Sequence, residues 1–156
     1  MIYSTVKKPS IKVGVDVIPI KKKEVDRYWG LLKLMIIQGL DHVGGLLSEA
    51  DLKKEIEQGF FQLFIMFGSK DGIENKIYGV FVTRITDHPQ KRQAEIVLLA
   101  GKDRELWEDQ MLITVEELAK ANGCGRISLL GRPGWKKLGD RHEYKVKNVE
   151  FVKEIE

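Results

Sequence analysis

The sequence lacks the features that mark secreted and membrane proteins. Among its 156 residues there is one cysteine, Cys124, so no internal disulfide can form. No stretch reaches the roughly 18 unbroken apolar residues that a membrane helix needs. Residues Met1–Ser10 have no apolar core of the signal-peptide type. These absences lead us to expect a cytoplasmic protein that makes no contact with a membrane.

The chain also lacks any sign of division into several domains. It has no internal repeat, no low-complexity segment and no linker rich in proline and serine. Its 43% of hydrophobic and 31% of charged residues are ordinary proportions for a globular protein. A chain of 156 residues is long enough to bury its own core and short enough for one domain. We therefore expect residues 1–156 to form a single domain.

The charged and metal-ligating residues form no recognisable binding motif. The net charge of +3 is too small to indicate a nucleic-acid partner by itself, although seven basic and two acidic residues fall between Arg126 and Lys147. A basic face that touches nucleic acid and a merely solvated surface both fit this pattern. The histidines, His42, His88 and His142, fall in separate predicted loops. Because a metal site needs three or four convergent ligands, we expect no bound metal.

Hydrophobic periodicity predicts the secondary structure. Alternating apolar residues predict a strand at 11–17, closed by Pro19. The best local signal is Ser48, which is suited to cap a helix together with Asp51 three positions later. The predicted elements, in chain order, are a strand at 11–17, helices at 22–38 and 48–59, strands at 60–67, 77–85 and 94–100, a helix at 105–121, a strand at 127–130, a short helix at 133–138 and a final strand at 144–155.

This order, β-α-α-β-β-β-α-β-α-β, predicts an α/β fold with a mixed sheet. The strands between Phe60 and Ala100 are joined by short turns and should be antiparallel. The strand–helix–strand unit from Ala94 to Leu130 should be parallel and right-handed. Helices should then cover the faces of the sheet.

The element order, together with Trp135-Lys136-Lys137-Leu138-Gly139 after the fifth strand, resembles the GNAT superfamily of N-acetyltransferases. It is also similar to the divergent GNAT-like proteins that tailed phages carry. The resemblance implies that the strands at 94–100 and 127–130 splay apart and that acetyl-CoA lies in the gap. In the family, the loop after the first of these strands reads Arg/Gln-x-x-Gly-x-Gly/Ala. Its backbone N–H groups meet the pyrophosphate at the N-terminus of the next helix.

The resemblance also assigns the candidate site residues. It places Leu99, Gly101, Lys102 and Arg104 at the coenzyme. A general base would have to be Glu95, although a strand-edge carboxylate that faces water is the alternative. Many members of the family protonate the leaving thiolate with a tyrosine of the short helix. Trp135 stands at that position here and is no acid, so Tyr144 is the candidate acid.

The coenzyme loop departs from the family pattern. With Arg104 aligned on the family's Arg/Gln, the first glycine falls on Trp107 and the second small residue on Asp109. We expect the Trp107 ring to fill the space of the phosphate. We expect Asp109, together with Glu105 and Glu108, to repel the phosphate and to stabilise an empty helix N-terminus.

Two functions therefore remain open. One is a non-catalytic GNAT-fold module without a cofactor, which binds a protein partner or associates with itself. If the chain is phage-encoded, such a module would act as an accessory or structural protein in the host cytoplasm or the virion. The other is an acetyl-CoA-dependent N-acetyltransferase that acts on a small-molecule or protein amine. The departures in the loop favour the first, and the overall resemblance favours the second.

Overall fold

Five strands and four α-helices make up the part of the chain that the computed structural model describes, residues 14–131 and 133–155. Short 3₁₀ turns precede the first, third and fourth helices. The elements are β1 (Gly14–Ile20), α1 (Val25–Leu40), α2 (Glu49–Glu57), β2 (Phe61–Ser69), β3 (Lys76–Asp87), β4 (Arg92–Gly101), α3 (Glu108–Ala121), β5 (Arg126–Leu129) and α4 (Lys136–Arg141).

The strands form one mixed sheet in the order β1-β2-β3-β4-β5. The first four strands are antiparallel to their neighbours, and β5 runs parallel to β4. The predicted α/β class and the predicted parallel β4-α3-β5 unit are thus confirmed. A parallel pair needs a long crossover, and α3 supplies it.

The structure differs from the sequence predictions at two strands. Residues 11–13 of the first predicted strand lie outside the described residues, and β1 continues through Pro19, which we expected to close it, to Ile20. Proline is tolerated there because β1 is an edge strand, where one side of the backbone needs no partner. The prediction of a final strand at 144–155 is wrong, because these residues lie in no helix or strand. Their apolar residues alternate as in a strand, but no strand among the described residues pairs with them.

Both faces of the sheet are covered, and this explains the nearly continuous apolar run of β2. Successive side chains of a strand point to opposite faces. Leu63 and Ile65 lie in a first core, between the sheet and helices α1 and α2. Phe64 and Met66 lie in a second core, between the sheet and α3, where the Phe64 ring stacks on Phe81 with the ring centroids 4.6 Å apart.

The predicted cap of α2 is confirmed. The Ser48 hydroxyl accepts a hydrogen bond from the Asp51 amide, and the Asp51 carboxylate accepts one from the Ser48 amide, both at 3.0 Å. Leu52 then lies fully buried in the first core. The cap therefore fixes where α2 begins and which of its faces meets the sheet.

Helix α1 packs closely on β4 at Gly39. A Cβ atom at this position would lie 2.7 Å from Cγ of Leu98, which is buried in the first core. Gly30, in the same helix, has nothing within 4 Å of an added Cβ. The two glycines thus differ in their packing but not in their secondary structure.

Replacing each of these glycines by alanine should change stability in opposite directions. Gly39→Ala should lower the free energy of unfolding by about 1–3 kcal/mol, because the core must move to admit the methyl group. Gly30→Ala should raise it by about 0.5–1 kcal/mol, because alanine has the higher helix propensity. Urea unfolding of the two variants measures both effects. A stabilising Gly39→Ala would contradict the close contact with Leu98.

Candidate functional site

Pairing of the two parallel strands ends partway along β4, because β5 ends at Leu129. Pairing of β4 with β5 runs from Gln93–Arg126 to Ile96–Leu129. Strand β4 nevertheless continues to Gly101, held on its other side by β3 as far as the Gly79–Gly101 pair. Residues 97–101 therefore present a strand edge that β5 does not cover. Backbone N–H and C=O groups on such an edge are available to a ligand.

A bulge in β4 lies directly after the last residue that pairs with β5. Val82 pairs with Leu98 and the next residue, Thr83, pairs with Ile96, so Val97 is an extra residue on β4. Bulges bend a strand and increase its twist. The bulge also changes the phase of the side chains, since Ile96 lies in the second core and Leu98 in the first.

Gly101 and Lys102, two of the predicted coenzyme contacts, are engaged by β3. A Cβ atom on Gly101 would lie 2.5 Å from the carbonyl oxygen of Tyr78 and 2.7 Å from Cα of Gly79. The Lys102 amide donates to the Tyr78 carbonyl at 2.9 Å. The glycine is thus required by the close contact of two strands, and Lys102 offers only its side chain to a ligand. Leu99 is half-buried and packs against the second core.

Trp107 does not stand in the space of a phosphate. Its ring is turned inward, is 2% exposed and belongs to the second core. The indole N–H donates to the carbonyl oxygen of Lys102 at 2.9 Å, so the ring ties the start of α3 to the end of β4. The expectation that this ring blocks an anion is corrected, because core packing is the lower free-energy position for a large apolar ring.

Charged side chains cover the N-terminus of α3 instead. Asp109 accepts a hydrogen bond from Arg141 at 2.9 Å, and its carboxylate lies 2.7 Å from the His142 ring. Glu108 accepts from Arg104 at 2.6 Å and from Arg141 at 3.4 Å. We call these five residues the α3 cap cluster. It joins the first turn of α3 to the end of α4.

The α3 cap cluster stabilises the ionised form of Asp109. The hydrogen bond from His142, followed by that from Arg141, lowers the pKa of Asp109 below its ordinary value. Ionised carboxylates in the first turn of a helix interact favourably with the helix dipole. Carboxylates of the chain itself therefore compensate the positive end of α3, as the sequence suggested. The structure adds that Arg104 and Arg141 bind these carboxylates.

Arg104 is fixed by three contacts. Besides its bond to Glu108, it donates to the carbonyl oxygen of Gly134 at 3.1 Å. Its guanidinium carbon lies 4.0 Å from the centroid of the Trp135 ring. Stacking of a guanidinium on an indole is a favourable cation–π contact. Trp135, which replaces the family's tyrosine, thus orients Arg104.

Glu95 is bound to its neighbours on the sheet. Its carboxylate accepts hydrogen bonds from Arg84 at 2.5 Å, Gln93 at 2.7 Å and Thr86 at 3.0 Å. Burial alone would raise the pKa of Glu95, but the hydrogen bonds from Arg84 and Gln93 outweigh it and leave the pKa below its ordinary value. Its side chain is 17% exposed, so it does not match the alternative of a strand-edge carboxylate that faces water. It lies one residue before the last pair of β4 with β5.

The structure does not bring Glu95 and Tyr144 together. Tyr144 packs against the second core. Ile96 also faces that core, so the preceding residue, Glu95, points to the opposite face of the sheet. Burial, with a smaller effect from the charge of Glu116, raises the pKa of Tyr144 to about 12. Its buried hydroxyl has no hydrogen-bond partner among the described residues.

Sequence reasoning missed Arg141 and His142. His142 fell in a predicted loop, and nothing in its neighbourhood pointed to the first turn of α3, more than 30 positions earlier. A usable signal was present in the two charge patterns, because acidic residues open the predicted helix at 105–121 and basic residues follow the short helix. Only the fold shows that the two segments meet.

Other kinds of site find no support in the described residues. Within 14–131 and 133–155, no group of three or more His, Cys, Asp or Glu side chains is placed to hold a metal ion. No helix of this part of the chain is long and apolar enough to cross a membrane. A mostly apolar surface groove of about 560 Å³ lies between β1, β2 and α3, and it contains none of the predicted site residues.

The α3 cap cluster should make stability depend on acid pH. Because the pKa of Asp109 is below its ordinary 3.8, its contribution is present above pH 3.8 and is lost as the pH falls through the lowered value. Asp109→Asn should therefore be less stable than wild type at neutral pH, and the difference should vanish in acid. Urea unfolding at both pH values measures this. Asp140→Asn, at an exposed pair with Lys136, is the control and should change little. A difference that persists in acid would contradict the prediction.

Removing the hydroxyl of Tyr144 should not destabilise the protein. The variant Tyr144→Phe breaks no hydrogen bond among the described residues and relieves the burial of an unpaired polar group, so the free energy of unfolding should stay equal or rise by about 1 kcal/mol. In wild type, the raised pKa means that stability is complete below pH 10 and falls as the pH rises towards about 12. The variant should lose this alkaline component. A large loss of stability at neutral pH would reveal a partner for the hydroxyl.

No protein-family model and no curated protein match the sequence. Solved structures do match. One is an aminoglycoside acetyltransferase from an uncultured soil metagenomic sample, at 15% identity and a TM-score of 0.66, with 92% of this chain and 100% of that chain covered. A GNAT family acetyltransferase of Staphylococcus aureus matches at 18% identity and a TM-score of 0.59, with 92% and 100% covered.

A third match is AAC(6')-Iy, solved in complex with a bisubstrate analogue that contains CoA. It has 17% identity and a TM-score of 0.59, with 90% of this chain and 98% of that chain covered. At such identities the likeness concerns the fold, and activity has to be argued from the site. The mixed sheet, with its antiparallel strands and parallel β4-α3-β5 unit, is consistent with the fold of these structures. The chain has the GNAT fold.

Proposed function

We propose that the chain is an N-acetyltransferase that takes its acetyl group from acetyl-CoA and transfers it to an amine. The observation that carries the proposal is the free edge of β4, where residues 97–101 extend beyond the end of β5. The pantetheine arm of CoA contains two amides. A strand edge recognises amides with its own N–H and C=O groups, as it would a neighbouring strand. The free edge at residues 97–101 is therefore suited to bind the two amides of the pantetheine arm.

The pyrophosphate would have to be held by side chains rather than by bare amides. Two carboxylates occupy the first turn of α3, so the helix N-terminus does not fit an anion in the arrangement described. Cations are nevertheless at hand, since Arg104 and Arg141 lie at this turn and Lys102 is at the end of β4. In the proposed enzyme, these cations break their contacts with Glu108 and Asp109 and bind the phosphates instead. Bidentate guanidinium contacts suit such an anion.

Glu95 is the residue that we propose for the acceptor amine. It lies just before β4 and β5 separate, and its lowered pKa keeps it ionised at neutral pH. An ionised carboxylate attracts an ammonium group, and its weak basicity means that the amine proton passes on to water rather than staying on Glu95. Acetyl-CoA would supply the acetyl group: the transfer forms the C–N bond of the amide and breaks the thioester C–S bond, and CoA would leave as a thiolate that takes up a proton from water. Tyr144 stays protonated at neutral pH, as an acid must, but it faces the other side of the sheet.

A second candidate function rests on the α3 cap cluster. If its ion pairs do not open, the chain is a non-catalytic GNAT-fold module that binds a protein partner. The observation in its favour is that Glu108 and Asp109 already have cationic partners within the chain. Coenzyme binding distinguishes the two functions directly.

Thermal unfolding with and without acetyl-CoA tests the proposal. A ligand that binds the folded state alone adds about 2.7 kcal/mol of stability at 100 times its dissociation constant. We therefore expect acetyl-CoA to raise the melting temperature by several degrees. No rise at millimolar acetyl-CoA would exclude the enzyme and leave the binding module.

Arg104→Ala localises the site. The rise in melting temperature on adding acetyl-CoA should shrink in this variant, because one cation for the pyrophosphate is lost. The matched control is Arg27→Ala, which removes another arginine that stacks on an aromatic ring, that of Tyr28 in α1. The control should keep the full rise. Equal responses of the two variants would show that the coenzyme binds elsewhere.

A further inference from the structure

The outer face of α1 carries apolar side chains that no other part of the described chain covers. The inner face packs on the sheet, where Val25 and Ile36 are fully buried. At about 100° per residue, Leu34 points directly away from Val25 and hence from the sheet. Leu34 is 78% exposed, Leu31 is 71% exposed, and Ile37 is exposed as well. Single exposed apolar side chains are ordinary, but several on one helix face mark an interaction surface.

The positions on this outer face are arranged symmetrically about Leu34. Leu31 and Ile37 lie three positions before and after it, and Gly30 and Gln38 lie four positions before and after it. If a second α1 packs antiparallel on the first and crosses it at Leu34, each position meets the one at equal distance on the other side. Leu31 then meets Ile37 of the second copy. Gln38 meets Gly30 of the second copy, where an added Cβ atom has nothing within 4 Å, so the long side chain finds room beside the small one.

Two charged residues of this face stand at the ends of α1 where the helix dipole disfavours them. Arg27 lies in the first turn, at the positive end, and Asp41 is the C-cap residue, at the negative end. The last turn contains no basic residue, and Asp41 forms no ion pair with any described residue. Arg27 and Asp41 each lie seven positions from Leu34. An antiparallel second α1 would therefore place Arg27 of each copy beside Asp41 of the other and pair both unfavourable charges.

We propose that two copies of the chain associate through an antiparallel pair of α1 helices that cross at Leu34. A second copy is the partner because the face is complementary to itself, in its apolar centre and in the opposite charges at its two ends. Contact of one patch with the same patch closes the assembly as a two-fold dimer. The apolar side chains are removed from water and supply affinity. The ion pairs fix the direction, because parallel helices would bring Arg27 to Arg27 and Asp41 to Asp41.

Sedimentation of the full chain over a dilution series tests the dimer. We expect wild type to be dimeric at high concentration. Leu34→Asp should raise the dissociation constant at least about a hundredfold, because each copy then places a carboxylate at the apolar centre of the contact. The variant should keep the fold, because Leu34 is exposed and belongs to neither core. The matched control, Ile113→Asp, alters an exposed apolar residue of α3 and should dimerise as wild type does.

Exchanging the two charges tests the antiparallel pairing. Arg27→Asp brings two carboxylates together at each end of the contact, and Asp41→Arg brings two cations together, so each should raise the dissociation constant about tenfold. Each substitution also suits the dipole of α1 better, so a weaker dimer would not reflect a weaker helix. The double variant Arg27→Asp/Asp41→Arg restores both pairs and should dimerise nearly as wild type does.

Three results would overturn the proposal. The first is a chain that stays monomeric at all concentrations. The second is a dimer that Leu34→Asp leaves intact, because the contact would then lie elsewhere on the molecule. The third is a double charge variant that dimerises no better than either single variant. Association is measured without acetyl-CoA, so its outcome is independent of the proposed activity.

Discussion

The pairing of β3 with β4 is the constraint on which the rest of the structure depends. β3 holds β4 along its whole length, up to the Gly79–Gly101 pair, whereas β5 leaves β4 after Ile96. Gly101 permits this because any side chain there would collide with the backbone of β3. Since β4 is fixed on one side, its residues 97–101 stay in the sheet beyond the end of β5 and leave a free backbone edge. The bulge at Val97 bends the strand at the same place.

The positive end of α3 lies shortly after the end of β4, and negative charge there is favourable. In GNAT enzymes with the usual glycine-rich loop, as the resemblance implies, the pyrophosphate supplies that charge. Here Glu108 and Asp109 supply it, and Arg104 and Arg141 neutralise them in turn, with the His142 ring beside Asp109. The Asp109–Arg141 pair is exposed, so it is individually weak and is screened by water and salt, whereas the Glu108 side chain is only 14% exposed. Both candidate functions depend on the α3 cap cluster. The proposed enzyme requires an anion of higher charge to displace Glu108 and Asp109 from their cations, and the proposed binding module requires that they stay in place.

The two edge strands of the sheet, β1 and β5, differ in how well they are protected against pairing with another strand. β1 ends with Pro19 and Ile20, and proline at an edge limits pairing with other strands. β5 is only four residues long and lacks such protection, and the segment at 144–155, which follows α4, is rich in strand-forming residues.

The sequence by itself determined the elements and much of their arrangement. Ser48 with Asp51 marked the start of α2, and hydrophobic periodicity marked most of the helices and strands, because local hydrogen bonds and side-chain period act within a few residues. The order of the elements, with the parallel unit around α3, led to the GNAT fold. The acidic first turn of α3 was also visible in the sequence.

Only the tertiary structure decided what those side chains touch. The Trp107 ring turned into the core instead of towards an anion, Glu95 acquired Arg84 as a partner, and His142 came to lie beside Asp109. The segment at 144–155 has the alternation of a strand but forms none, because a strand requires a neighbour that this chain does not place beside it. Contacts between residues far apart in the chain depend on packing, and periodicity carries no information about which segments meet.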